Sequence, residues 1–122
     1  MNDNFRRMAS LVVLMATVSA GPAALAGRSG GPASTMDRVQ AFDTDVYAMQ
    51  FAGGRTARIV VDGDGDTDLD LFVYDEFGNL IDSDTDGTDY CVASWTPAWT
   101  GTFRIEIRNF GDVYNQYRIQ TN

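Results

Sequence analysis

At 122 residues the chain has room for one domain with one core, which leaves no space for a two-domain enzyme. Its ionisable side chains are lopsided: 9 basic residues, every one Arg, stand against 17 acidic ones, 15 of them Asp, with neither His nor Lys, for a net charge of −8. That balance argues against a basic nucleic-acid surface. It also removes any Ser-His-Asp or Cys-His device built from this chain alone.

Residues 1–26 carry a basic start at Arg6 and Arg7, an apolar run over 11–18, and then Ala24-Leu25-Ala26, with small residues where signal peptidase needs them. A secretory signal is expected, cleaved after Ala26 or, at Val18-Ser19-Ala20, after Ala20. The apolar run falls well short of the roughly 20 residues that span a bilayer, and Gly21-Pro22 interrupts it. The expected mature domain is therefore secreted or periplasmic, with no membrane span. The adjacent arginines also fit twin-arginine export. Cleavage after Ala26 removes Arg6, Arg7 and Asp3, which takes the net charge from −8 to −9. Cys91 is the only cysteine, so no internal disulfide can form, and its apolar setting, Tyr90-Cys91-Val92-Ala93, predicts a buried core thiol.

Residues 27–36, rich in Gly, Ser and Pro, predict a flexible lead-in to a domain over 37–122. From there the pattern is one of strands, expected over 46–51, 57–61, 68–74, 80–81, 90–95, 102–108 and 114–120. In 102–108, apolar Phe103, Ile105 and Ile107 alternate with polar neighbours, the mark of a half-buried antiparallel strand. In 68–74, Leu69, Leu71 and Val73 share one face, with Asp68, Asp70, Phe72 and Tyr74 on the other. Turn residues separate the runs: Gly53-Gly54, the Asp/Gly tract at 62–66, Gly78-Asn79, Asp86-Gly87, Pro97, Gly101 and Gly111-Asp112. No segment keeps a helical period. The fold class predicted is all-β, a two-sheet antiparallel sandwich of about seven short strands.

Asp62, Asp64, Asp66, Asp68 and Asp70 put carboxylates at every second position, and Gly63 and Gly65 allow the backbone to curl so that they converge. Clustered carboxylates at neutral pH are neutralised by a hard cation held through oxygen ligands, which points to Ca²⁺. Asp82, Asp84 and Asp86, followed by Gly87, open like a calcium loop of the D-x-D-x-D-G type. Position 12 from Asp82 is Ala93 and the flanks read as strands, so an EF-hand is rejected, and closing ligands from Asp43, Asp45, Asp75, Asp89 or carbonyls remain open. The two stretches form separate sites or one shared site. The competing reading is that Asp caps turns and keeps a secreted domain soluble. Zinc lacks its preferred ligands.

Among the aromatics, Trp95 shares strand parity with Cys91 and Ala93 and is expected in the core. Trp99, Phe72 and Tyr74 are the candidates for a flat ligand-binding surface. No catalytic residue is assigned, because no serine has a base and the carboxylates lack the apolar wall that would raise one partner.

Several segments together resemble the bacterial pre-peptidase C-terminal domain, a secreted module usually attached to exported proteases and other exoenzymes. They are Asp45-Val46-Tyr47, Gly53-Gly54, the D-L-D-L run from Asp68 to Asp75, Gly78-Asn79-Leu80, Trp95-Thr96-Pro97-Ala98, Gly101-Thr102-Phe103, Ile105-Glu106-Ile107 and Tyr117. The resemblance implies a jelly-roll-like sandwich of about eight strands, similar to the collagen-binding domains of clostridial collagenases, some of which bind calcium. It implies no active site. By this likeness Asp62, Asp64, Asp66 and Asp68 match the metal-binding loop, and Asp43 or Asp45 matches ligands contributed before the first strand.

The function expected is a secreted, non-catalytic calcium-binding module that binds, adheres to or stabilises an exported partner. Its partner would be a secreted protein or an extracellular polymer, and the chain itself a monomer. Two alternatives stand beside it: a carbohydrate- or collagen-type polymer binder using exposed aromatics, and a structural envelope protein without metal.

Overall fold

The computed structural model describes residues 27–122, and the expected signal segment at 1–26 lies outside them. Eight strands follow in order: β1 (Ala33–Val39), β2 (Thr44–Phe51), β3 (Ala57–Asp62), β4 (Leu69–Tyr74), β5 (Leu80–Asp84), β6 (Tyr90–Trp95), β7 (Gly101–Asn109) and β8 (Asn115–Thr121). They form two four-stranded antiparallel sheets, ordered β1-β8-β3-β6 and β2-β7-β4-β5. Every connection except the β4–β5 hairpin crosses from one sheet to the other, which is the jelly-roll arrangement. The all-β sandwich expected from the alternation is therefore present. Among the described residues no helix is long and apolar enough to cross a membrane.

Residues 33–36 depart from the flexible lead-in expected of them, for they are the first half of β1. The side chains of this strand show no clean apolar alternation, yet its backbone pairs with β8 from Ala33↔Thr121 to Val39↔Asn115, and Ala33 and Val39 anchor its ends in the core. Main-chain pairing supplies what side-chain pattern does not. Upstream, Arg28 is buried; its Nε donates to the Gly31 carbonyl at 2.6 Å and its backbone bridges to Phe51.

The alternating residues of both inner faces fill the interior: Tyr47, Met49 and Phe51 from β2, Ile59 and Val61 from β3, Leu69, Leu71 and Val73 from β4, Phe103, Ile105 and Ile107 from β7. Trp95 packs against this core, as its parity predicts, with its ring centroid 4.9 Å from Phe51 and 5.2 Å from Phe103.

Polar links close both long sides of the sandwich. On the β1/β2 side, Tyr117 Oη donates to Asp45 Oδ2 at 2.6 Å, and Tyr47 Oη is hydrogen-bonded with Tyr117 Oη and with Asp37 Oδ2. On the other side, Asp84 Oδ2 accepts from the Val92 amide at 2.9 Å and Asp82 Oδ2 from the Ser94 amide at 2.8 Å. Strand β6 is an edge of its sheet, and these outward amides would otherwise face water or another chain. The D-x-D spacing of β5 matches the two-residue repeat of amides along one side of β6.

Candidate functional site

The loops gather at two poles. One pole combines 40–43, 63–68, 85–89 and 110–114; the other combines 52–56, 75–79 and 96–100. The first holds most of the aspartates.

At the acidic pole the structure separates the expected ligands into groups with different work. Asp62 ends β3, exposed, opposite Arg118 and Tyr90 in register. Asp64 serves the backbone: its Oδ1 accepts from the Asp66 amide at 3.0 Å, and its Oδ2 from the Gln116 amide at 2.9 Å. Asp66 is exposed at the loop tip. The loop curls around Asp89 Oδ2, which accepts from the Gly65 amide at 2.5 Å and from Asn115 Nδ2 at 3.1 Å. Gly63 permits this approach, since a Cβ there would stand 2.3 Å from Asp89 Oδ2. Asp82 and Asp84 sit in strand β5 rather than in a loop, and both cap β6. Asp45 lies in the core, bonded to Tyr117, on the far strand of its sheet from β5.

Asp68 and Asp70 differ from the other aspartates of the acidic pole. Among the described residues Asp68 Oδ1 and Asp70 Oδ1 are buried without a hydrogen-bond partner, and Asp70 as a whole is 9% exposed. Burial pushes the Asp70 carboxyl above the usual range, and the like charges of Asp68, Asp84 and Asp86 push the same way against the opposing pull of Arg108. Asp86, by contrast, is held below the usual range by the amide and hydroxyl of Thr88, at 3.1 and 2.9 Å. The two Asp-rich stretches thus come within electrostatic reach of each other at Asp68, Asp70, Asp84 and Asp86. Buried carboxylate oxygens that lack a donor fit a hard cation, although as placed no three acidic side chains among the described residues surround one point. Cys91 lies beneath this cluster, its Sγ donating to the Leu69 carbonyl at 3.1 Å; burial first, then the aspartates, push its thiol up to about 12, where it is inert as a nucleophile.

Two residues that composition did not single out organise this pole. Asn115 is fully buried; its Nδ2 reaches the Thr67 carbonyl, Thr67 Oγ1 and Asp89, and its Oδ1 accepts from the Asp64 amide. Asn109 does the same for the neighbouring loops: its Nδ2 reaches the carbonyls of Val39, Gln40 and Val113, and its Oδ1 accepts from Gly111. The one sequence signal is position, since the two Asn flank the 110–114 loop, one ending β7 and the other opening β8.

The three aromatics expected to form one surface lie in two places. Phe72 and Tyr74 stack on the outer face of the β2-β7-β4-β5 sheet with centroids 6.4 Å apart, covered by Arg108 and Arg104 at 4.1 and 4.5 Å. Trp99 stands at the other pole, 61% exposed, beside a pocket of about 200 Å³ whose walls include Phe77, Ile81, Trp95 and Phe103.

No protein-family model matches this chain, and no curated protein sequence matches it. Solved structures do share its fold. The pre-peptidase C-terminal domain of collagenase from Bacillus anthracis superposes with a TM-score of 0.63 at 15% identity, over 73% of this chain and 87% of that one. A periplasmic inhibitor of g-type lysozyme, PliG of Aeromonas hydrophila, gives 0.56 at 15% identity, over 86% and 93%. CorA, a surface-associated copper-binding protein of Methylomicrobium album BG8, gives 0.57 at 8% identity, over 73% and 92%. The resemblance carried by the D-L-D-L, G-N-L and G-T-F segments holds for the fold. At these identities the architecture is what is shared.

Proposed function

We propose that this chain is an exported, non-catalytic binding module whose acidic pole takes Ca²⁺ at Asp68 and Asp70, with Asp84 and Asp86 completing the charge around it. The observation that carries this reading is the pair of buried carboxylate oxygens without donors, set among like charges. A divalent cation would supply the missing positive charge there and be coordinated by these oxygens. The carboxylates of Asp68 and Asp70 would hold it from β4 and the loop before it, and Asp84 and Asp86 from β5 and the loop after it. Binding at that point would tie the 63–68 and 85–89 loops together and order the surface they present. The same fold in a collagenase accessory domain and in a lysozyme inhibitor supports a role in recognition of an exported partner. Copper is disfavoured as the ion, because the chain has no His and its one Cys is buried.

Thermal melts of the whole chain in EGTA and in calcium test this. A ligand that binds only the folded state adds about 2.7 kcal/mol at about 100 times its Kd, so calcium should raise the Tm by several degrees. Asp70→Asn should remove most of that gain while leaving the fold intact. A Tm insensitive to calcium at low ionic strength refutes the metal and leaves the binding module without it.

A further inference from the structure

The aromatic pole offers a chemistry that the calcium reading does not use. In three places an arginine lies over an aromatic ring: Arg108 over Phe72, Arg104 over Tyr74, and Arg38 over Tyr114 at 4.2 Å. In the first two a carboxylate completes the arrangement, since Glu106 accepts from Arg104 Nε at 3.0 Å and from Arg108 Nη2 at 2.8 Å. Ring, carboxylate and guanidinium together form a compact unit in which the cation is satisfied in the plane by oxygen and above it by π density.

Two parts of this unit recur at the aromatic pole without the third. Trp99 is 61% exposed and Phe77 71% exposed, and Trp99 Nε1 donates to Glu76 Oε1 at 3.4 Å. Glu76 Oε2 takes no hydrogen bond among the described residues, and no arginine lines the pocket. Beside Glu76, the Asp75 carboxylate is kept ionised, held below the usual range chiefly by the side chain and amide of Asn79. The space of about 200 Å³ suits one long side chain. A net charge of −8 draws cationic partners and repels anionic ones.

We propose that this pocket receives an arginine side chain from a basic polypeptide partner, the guanidinium stacking on Trp99 and pairing with Glu76 while its methylene stem lies along Phe77 and Ile81. Arginine fits better than lysine because its planar group can stack and pair at once. The site is distinct from the acidic pole and needs no calcium.

Both tryptophans of the chain, Trp95 and Trp99, line this pocket, so intrinsic fluorescence reports its occupancy. Titrating the whole chain, in EGTA, with an arginine-rich peptide capped at both ends should give a saturable change. Replacing each arginine by citrulline keeps the planar group and removes the charge, and should weaken binding at least about tenfold, as should Glu76→Gln. Trp99→Ala should abolish the response, with the melt confirming that the variant folds. Asp62→Asn with Asp66→Asn, at the opposite pole, should leave the affinity within about twofold, which separates the pocket from general attraction to an acidic protein. The proposal is overturned by equal binding of the citrulline peptide, by the Asp62/Asp66 variant losing as much as Glu76→Gln, by saturable binding of a neutral oligosaccharide in the arginine peptide's place, or by no saturable change.

Discussion

At the acidic pole the loops are held by hydrogen bonds from side-chain amides and backbone N–H groups to carboxylates, whereas at the aromatic pole Phe51, Trp95 and Phe103 close the sandwich by edge-on ring packing. The contrast bears on how a dense run of aspartates is read. Asp64, Asp82, Asp84, Asp86 and Asp89 each accept backbone hydrogens, so much of this negative charge is spent on holding the chain in place. Asp68 and Asp70, at the crowded end of the two Asp-rich stretches, each carry a buried oxygen that no hydrogen bond among the described residues serves. Density of charge is therefore a poorer guide to a cation site than buried oxygens left without a hydrogen-bond donor. The aromatic pole shows the converse case, with carboxylates few and ring surface left open.

Substitutions at each pole sharpen this difference. The largest loss is expected from Phe51→Ala, which empties a fully buried ring site at the aromatic pole and should cost about 3–5 kcal/mol in a urea titration. Asn115→Ala should cost about 2–4 kcal/mol, since it removes a buried amide that serves both Asp89 and the Asp64 amide. Hydrogen exchange should then quicken in the 63–68 loop while the amides around Trp95 keep their protection. A loss spread evenly over both poles would contradict their separate support. Asp84→Ala should cost about 1.5–3 kcal/mol and, by baring the Val92 amide on an edge strand, make the protein self-associate at high concentration in size-exclusion chromatography.

The smallest effect is one of sign. Because the Asp70 carboxyl is raised in the folded state, its ionisation costs stability as pH climbs through that raised value. In EGTA, Asp70→Asn should therefore be more stable than the parent near neutrality. The gain should vanish below the ordinary carboxylate range, where Asp70 is protonated in both folded and unfolded chains. A variant that is less stable at neutral pH would mean that Asp70 has a partner in solution.

Much of this architecture is legible in the residues themselves. Strand β6 falls on 90–95 as read, and β4 and β7 follow their apolar alternation to within a residue at each end. Strand β1 is not legible, because Ser34 to Arg38 carry no period and the strand exists through its pairing with β8, more than 80 residues away in sequence at Ala33↔Thr121. The D-x-D-x-D-G run at 82–87 is legible in two ways, since alternate carboxylates suit a metal loop and equally suit a strand that caps its neighbour every second residue. Which aspartates are spent is decided by long-range pairing, such as Asp64 with the Gln116 amide, and local pattern carries no trace of it. Trp99 and Glu76 likewise meet only through the fold.

The pairing of β1 with β8 sets an order of events for the newborn polypeptide. The sheet that contains both cannot be completed until the last seven-residue strand is available, because β8 is also the only link between β1 and β3. Loop closure over nearly the whole domain makes that step slow. Until β8 is in place β1 has no partner in its sheet, so this half of the sandwich closes last.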